Sequence, residues 1–140
     1  MKVSRIGFSR WKQWGDRDSL NEALNFPGIY LLAHYQRWQS GPAKPLTSRV
    51  VYIGETCKQT LKRRLNQFEN SGFSGKPGHS GGRTYWKKFK GKTSAQLFVA
   101  VLPVKLINVD IRPYFIRYVE RKLIWEYARK YNSPPLCNLK

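Results

Sequence analysis

Two short apolar runs in the first half of the chain constrain its fold more than any other feature. Residues 28–34 contain the run IYLL, and residues 49–54 read RVVYIG; both are typical of strands. Residues 36–48 between them contain one glycine and two prolines and predict a loop. Because strands that are close in sequence usually pair with each other, we expect an antiparallel pair.

The apolar spacing changes from that of a strand to that of a helix after the second run. Four residues at i, i+3, i+4 and i+7 define one helical face: Leu61, Arg64, Leu65 and Phe68. We expect Thr56 to cap the start of this helix and Gly72 to end it. Residues 71–82, with five glycines and a proline, predict a mobile loop.

A third strand and a long final helix complete the pattern. Residues 94–104 are mostly apolar and predict the strand. Residues 114–131 predict the helix, with Pro113 near its first turn and two prolines, Pro134 and Pro135, after its end.

The N-terminal segment is expected to pack against this unit. Residues 16–25 predict a short helix, which Asp16 or Asp18 would cap. The whole chain therefore predicts one α+β domain over residues 1–140, with residues 1–26 as an N-terminal extension. Its sheet is expected to be small, three-stranded and mainly antiparallel, with helices packed on it.

The charge of the chain limits the classes of molecule that it is expected to bind. Its 140 residues carry 26 Lys and Arg against 8 Asp and Glu, a formal net charge of +18. This favours a polyanionic partner, first of all nucleic acid. The aromatic content of 14% argues against a disordered basic tail. No apolar run reaches the length of a membrane span, and no secretory signal is evident, so we expect no membrane association and a cytoplasmic location.

The two cysteines do not change this picture. Cys57 and Cys137 form neither a zinc motif nor a disulfide framework. We interpret both as reduced and mainly structural.

Two charged residues stand at positions where apolar side chains are expected. Glu120 lies one turn from Ile116 and one turn from Ile124, in the apolar stripe of the last predicted helix. Arg64 lies on the apolar face of the earlier one. A buried charge must be neutralised, paired or bound to a metal. Either Arg64 and Glu120 pair with each other, or Glu120 holds a divalent cation and Arg64 a phosphate in a cleft.

Several motifs resemble those of the GIY-YIG nuclease superfamily. The two name-giving tripeptides correspond to residues 28–30 (GIY) and 52–54 (YIG), both on predicted strands. Residues 61–65 (LKRRL) are similar to the family's arginine-bearing helix, and Glu120 is similar to its metal-binding glutamate. Residues 134–138 (PPLCN) resemble the closing proline–asparagine element.

The resemblance implies a role for each matching residue. Glu120 would bind a single Mg²⁺ or Mn²⁺ ion, and Arg64 would orient the scissile phosphate. Tyr30 and Tyr52 would frame the attacking water, and one of them would take or relay its proton. Asn138 would support the site by hydrogen bonding, with Asn132 as the alternative.

The sequence departs from the family pattern at two positions near these motifs. Phe68 stands where many members have a histidine or tyrosine, and it cannot transfer a proton. His79 could supply that role; alternatively, it is a solvated loop histidine. Glu55 follows the second tripeptide directly, and we interpret it as a surface charge rather than a second metal ligand.

Basic residues surround these positions in sequence. Residues 83–92 (RTYWKKFKGK) mix basic and aromatic side chains, of which Tyr85 or Trp86 is expected to be buried while the lysines face phosphate. The candidate DNA contacts are Lys58, Lys62, Arg63, Arg83, Lys87, Lys88 and Arg121.

These features together predict a divalent-metal-dependent DNA endonuclease. The main alternative is a non-catalytic nucleic-acid-binding domain on the same scaffold, and an RNA-binding or ribosome-associated protein explains the charge but not the tripeptides. Specificity would come from residues 36–48, from residues 71–92, from a homodimer or from a partner protein.

Overall fold

A four-stranded antiparallel sheet forms the centre of the computed structural model, which describes residues 7–90, 96–105 and 108–138. Its strands are β1 (Lys12–Gln13), β2 (Gly28–His34), β3 (Val50–Thr56) and β4 (Leu97–Pro103), in the order β1-β4-β2-β3. The α+β class and the antiparallel pairing of β2 with β3 are confirmed, but the prediction of three strands is wrong. The additional strand, β1, pairs only two residues with β4 and is too short for an alternating pattern.

Helices cover both faces of the sheet. They are a 3₁₀ segment (Trp14–Asn25), α1 (Leu61–Ser74), α2 (Ser80–Phe89) and α3 (Arg112–Tyr131). Successive side chains of a strand point to opposite faces. Accordingly Ile29 and Leu31 pack in one apolar cluster with α3, whereas Tyr30 and Leu32 pack in another with α1 and α2.

The boundaries of α1 differ from those predicted. Thr56 is still part of β3, and it is the hydroxyl of Thr60 that accepts a hydrogen bond from the Arg63 backbone N–H and caps the helix. Gly72 is buried inside α1, which ends instead at Gly75, where φ is +72°. The predicted loop over residues 71–82 therefore shrinks to residues 75–79.

The N-terminal segment adopts a tighter helix than predicted. It begins at Trp14 rather than at residue 16, it is of the 3₁₀ type, and it is interrupted at Asn21, where φ is +56°. No side chain caps it, so the expected role of Asp16 or Asp18 is wrong. Trp14 is buried in the cluster that includes α1, which holds this segment on the sheet.

The last helix matches its prediction closely. α3 begins two residues earlier than expected, with Pro113 in its first turn, and ends at Tyr131. The predicted start of the third strand at Ser94 and the end of the basic segment at Lys92 lie outside the described residues. Within residues 7–90, 96–105 and 108–138, no helix is both long and apolar enough to span a membrane.

Candidate active site at the end of the edge strand

The two tyrosines of the tripeptide motifs lie side by side on one face of the sheet. Tyr30 is opposite Gly54 across the β2–β3 pair, and Tyr52 is opposite Leu32, so both rings point towards α1 and α2. Their ring centroids are 5.9 Å apart. Tyr30 is completely buried, whereas Tyr52 is partly exposed. Of the two phenols, Tyr52 is therefore the one that a substrate can reach.

Two glycines let the tyrosine rings approach the backbone. A Cβ atom on Gly54 would overlap both rings and lie 2.6 Å from the Tyr30 hydroxyl oxygen. A Cβ atom on Gly81, in the first turn of α2, would overlap the other side of the Tyr52 ring. The two glycines thus hold the phenols in place by shape, and any larger residue at Gly54 must displace them.

His79 is part of this cluster and not a solvated loop residue. Its side chain is 1% exposed, and its Nε2 atom lies 2.6 Å from the Tyr30 hydroxyl oxygen. The Gly82 backbone N–H donates to Nδ1 at 3.0 Å and so caps α2. Because Nδ1 accepts, a neutral imidazole must carry its proton on Nε2 and donate it to Tyr30. Burial, aided by the charge of Arg64, lowers the pKa of His79 to about 3 and keeps it neutral.

Phe68 explains why the imidazole comes from α2. Its ring is fully buried and meets the His79 ring edge to face, with centroids 5.4 Å apart. The position one turn after Arg64 therefore provides packing rather than proton transfer. The imidazole that contacts Tyr30 belongs instead to His79, the residue that precedes α2.

Arg64 is held beside the tyrosines by hydrogen bonds. Its guanidinium donates to the side-chain oxygen of Gln67 at 2.7 Å and to the Gly78 carbonyl at 3.2 Å. Gln67 in turn donates to Gln59 at 2.8 Å. Burial raises the pKa of both Tyr30 and Tyr52, and the positive charge of Arg64 opposes this rise at each phenol.

Glu120 projects from α3 towards the same end of β3. Its side chain is 15% exposed and lies beside the buried stripe of α3 that contains Val119 and Leu123, rather than in its centre. Its described ion-pair partner is the exposed Arg121, at 3.4 Å, so the alternative of a structural pair between Arg64 and Glu120 is wrong for these described residues. Burial first, and then the charge of Glu55, raises the pKa of Glu120 to about 7.

Glu55 is the acidic neighbour of Glu120. It is half-buried on β3, and the Cys57 thiol lies 3.7 Å from both of its carboxylate oxygens. Glu55 is thus partly shielded from solvent, and its interpretation as a surface charge rather than a second metal ligand stays a prediction. Burial and the charge of Glu55 raise the pKa of Cys57 to about 11, so this thiol stays protonated and unreactive near neutral pH.

The burial and charges around Tyr52 keep its phenol protonated. Burial is the largest cause that raises its pKa to about 12, followed by the negative charge of Glu120. Arg64 and the hydrogen bond with Tyr30 act in the opposite direction. A cation at Glu120 would remove the main charge that disfavours the phenolate.

An open cleft begins where β3 ends. It has a volume of about 290 Å³ and is lined by Glu55, Thr56, Cys57, Lys58, Gln59 and Arg64. The described part of the chain contains no group of three or more His, Cys, Asp or Glu residues that could hold a metal. Mg²⁺ nevertheless binds commonly through one or two carboxylates, with water and substrate phosphate as the other ligands. The half-buried, oxygen-donating pair of Glu120 and Glu55 fits that chemistry.

Asn138 supports the strand that carries Tyr52. Its side-chain oxygen accepts from the Ile53 N–H, and its side-chain NH₂ donates to the Ile53 carbonyl, both at 2.8 Å. The Cys137 N–H also donates to the Val51 carbonyl at 2.8 Å. The C-terminal segment thus pairs with the outer edge of β3. Asn132 is exposed and ends α3 in the left-handed conformation, away from this contact.

The candidate DNA contacts are all exposed. Arg83, Lys87 and Lys88 lie on the outside of α2, whose Tyr85 is fully buried while Trp86 is half-buried. The others are Lys58, Lys62, Arg63 and Arg121. The expected burial of a ring on α2 is confirmed by Tyr85, and the contact of its lysines with phosphate stays a prediction.

Some residues of this arrangement were not predicted. Gln59 and Gln67 orient Arg64, and Gly81 leaves room for the Tyr52 ring. They were missed because neither a glutamine nor a single glycine forms a distinctive sequence pattern.

Comparison with known proteins gives no independent assignment. No family model matches the chain, and no curated protein or solved structure matches it either. A function must therefore be argued from the motifs and from the geometry of this site.

Proposed function

We propose that this chain is a divalent-metal-dependent DNA endonuclease of the GIY-YIG type. The observation that carries the proposal is the convergence at one end of β3 of two phenols, a neutral imidazole, a guanidinium and a half-buried carboxylate. They belong to Tyr30, Tyr52, His79, Arg64 and Glu120. A domain that only binds nucleic acid requires exposed basic residues but no such buried set.

Glu120 is the residue that would hold Mg²⁺ or Mn²⁺, with Glu55 beside it. When bound there, the cation would offset the charge that develops on the leaving oxygen of the phosphodiester. The carboxylate is suited to this because burial and Glu55 both disfavour its charge. A bound cation would therefore stabilise the negative charge of the Glu120 carboxylate, which the surrounding protein compensates poorly.

The surroundings of the two tyrosines give them different roles. His79 donates to the Tyr30 oxygen, and the Tyr30 ring packs beside the Tyr52 ring, with centroids 5.9 Å apart. Tyr30 is fully buried and bound to His79, so it would hold Tyr52 in place without contacting the substrate. Tyr52, at the exposed end, would be the base in its phenolate form: it would first lose its own proton to solvent and then take the proton of the attacking water.

Arg64 would bind the scissile phosphate. Two of its contacts, with Gln67 and the Gly78 carbonyl, fix the guanidinium, which lines the cleft next to Glu55. A fixed guanidinium is suited to two oxygens of one phosphate and to the charge that grows on them during hydrolysis. The exposed basic residues on α1 and α2 would hold the flanking backbone of the DNA.

A plasmid-nicking assay tests this function. We expect the wild-type chain to nick supercoiled plasmid with Mg²⁺ or Mn²⁺ and to stop in EDTA. The Glu120→Gln variant should lose nicking and still bind the plasmid, while the same change at the exposed Glu22 should leave nicking intact. Nicking by Glu120→Gln, or nicking that persists in EDTA, would contradict the proposal.

The second candidate is a non-catalytic nucleic-acid-binding domain on the same scaffold. The observation that favours it is the burial of the tyrosine side chains, which raises the pKa of Tyr52 to about 12 and also raises that of Tyr30. Such phenols are poor bases at neutral pH unless a cation changes the local charge. Plasmid binding without any nicking, over a range of divalent metals, would select this candidate.

A further inference from the structure

The outer face of α3 exposes aromatic side chains that neither the core nor the candidate site uses. Tyr114, Tyr118 and Trp125 are 71%, 52% and 54% exposed. They recur at i, i+4 and i+11 and so share one side of the helix, opposite the buried stripe. Large exposed rings in a row are unusual on a protein surface and mark a binding face.

Arginines alternate with these rings. Arg117, Arg121 and Arg129 are exposed on the same helix, and the Arg129 guanidinium lies over the Trp125 ring, 5.7 Å from its centroid. The two acids of α3, Glu120 and Glu126, are both partly buried. This outer face of α3 therefore presents rings and positive charge without an exposed carboxylate of its own helix.

Rings between positive charges suit a single nucleic-acid strand. Unpaired bases stack on aromatic side chains, and arginines neutralise the phosphates between them. The span from Tyr114 to Trp125 is about 16 Å at the rise of an α-helix. That length matches roughly five stacked nucleotides.

A second copy of the chain fits this face poorly. A two-fold contact brings the same patch against itself. The three arginines would then approach the arginines of the partner, in a protein with a net charge of +18. The charge therefore favours a polyanion over a homodimer.

The face also leads directly to the candidate site. Arg121 belongs to the same side of α3 as Tyr118 and Trp125, and its guanidinium contacts the Glu120 carboxylate at 3.4 Å. A strand lying on this face would pass the proposed metal ligand. We infer that the outer face of α3 binds a single DNA strand by stacking on Tyr114, Tyr118 and Trp125, so that the enzyme selects DNA with unpaired nucleotides beside the cut; this rests on the proposed nuclease function.

Binding of labelled oligothymidylate and of a blunt duplex of equal length, measured by fluorescence anisotropy in EDTA, tests the inference. Changing Tyr114, Tyr118 and Trp125 together to alanine should weaken oligothymidylate binding by about tenfold or more and duplex binding by less than about twofold. Changing all three to phenylalanine should keep most of the affinity, because the rings remain. Trp38→Ala, at a ring that is 69% exposed in another part of the chain, is the matched control and should have no effect.

Three results would overturn the inference. They are no loss of binding with the alanine variant, an equal loss on both DNAs, or sedimentation that shows a dimeric wild-type chain and a monomeric alanine variant. Should the triple variant be unstable, Tyr118→Ala and Trp125→Ala separately carry the same test, each with a smaller loss. Since EDTA removes cleavage from the experiment, these results do not depend on whether the plasmid assay supports the nuclease.

Discussion

Removing the charge of Glu120 should change how the stability of the fold depends on pH. Burial and Glu55 raise the pKa of this carboxyl from 4.5 to about 7. The folded state therefore holds the Glu120 proton more tightly than the unfolded state does. The resulting stabilisation is complete below about pH 4.5 and is lost as the pH rises through about 7. Glu120→Gln, which cannot ionise, should not show this loss.

The size of the effect follows from the pKa and from the exposure of the side chain. A shift of one pKa unit corresponds to about 1.4 kcal/mol, so the rise from 4.5 to about 7 is worth at most about 3.4 kcal/mol. The side chain is 15% exposed and its partner Arg121 is largely in solvent, which screens part of this energy. We therefore expect wild type to lose about 1–2 kcal/mol relative to Glu120→Gln between about pH 4.5 and pH 8.

Urea unfolding of both proteins at about pH 5 and about pH 8 measures this difference. The comparison cancels the other titrating groups, His79 among them, because both proteins contain them. Adding Mg²⁺ at the higher pH should stabilise wild type and leave Glu120→Gln unchanged. Equal pH dependence in the two proteins would refute the account of Glu120 as a buried, titrating carboxylate.

Three further predictions concern the other site residues. Arg64→Lys keeps the charge but loses the planar guanidinium that binds two oxygens at once, so plasmid nicking should fall by about 100-fold. Arg63→Lys, on the exposed side of the same helix, should nick normally. Equal rates for the two variants would contradict the role of Arg64. Gly54→Ala should lower the free energy of unfolding by about 1–3 kcal/mol and impair nicking, because its Cβ meets both tyrosine rings, whereas Gly15→Ala, with open space around it, should have little effect on either measurement. The imidazole NMR signals of His79 should not titrate between about pH 5 and pH 8, because its pKa is about 3; a midpoint near 6.5 would mean that it is exposed.

Much of the fold could be predicted because its elements are long and regular. β2 begins and ends at the predicted residues, and α3 differs only at its start. The errors lie where local signals compete. Thr56 and Thr60 are equally good caps by type, and only the extension of β3 to Thr56 decides between them. The two-residue β1 forms only because it pairs with β4, and no local sequence pattern indicates such a pairing.

The candidate site was predictable as a set of residues but not as an arrangement. The motifs indicated Tyr30, Tyr52 and Arg64, and the apolar stripe of α3 indicated Glu120. His79 could be placed only by the fold, because glycines precede and follow it and its burial depends on α2 starting at Ser80. The surroundings of Glu55 were likewise not predictable, because the Cys57 thiol that contacts it follows the strand and Glu120, whose pKa it raises, lies on the distant α3.

The most direct test of the central claim is a crystal of the chain soaked with Mn²⁺ and measured at the manganese absorption edge. The account predicts one anomalous peak at a coordinating distance, about 2.2 Å, from a carboxylate oxygen of Glu120, on the side facing Tyr52 and Arg64. A carboxylate that still contacts only Arg121, with no peak beside it while Mn²⁺ supports nicking, would contradict the assignment of Glu120 as the metal ligand.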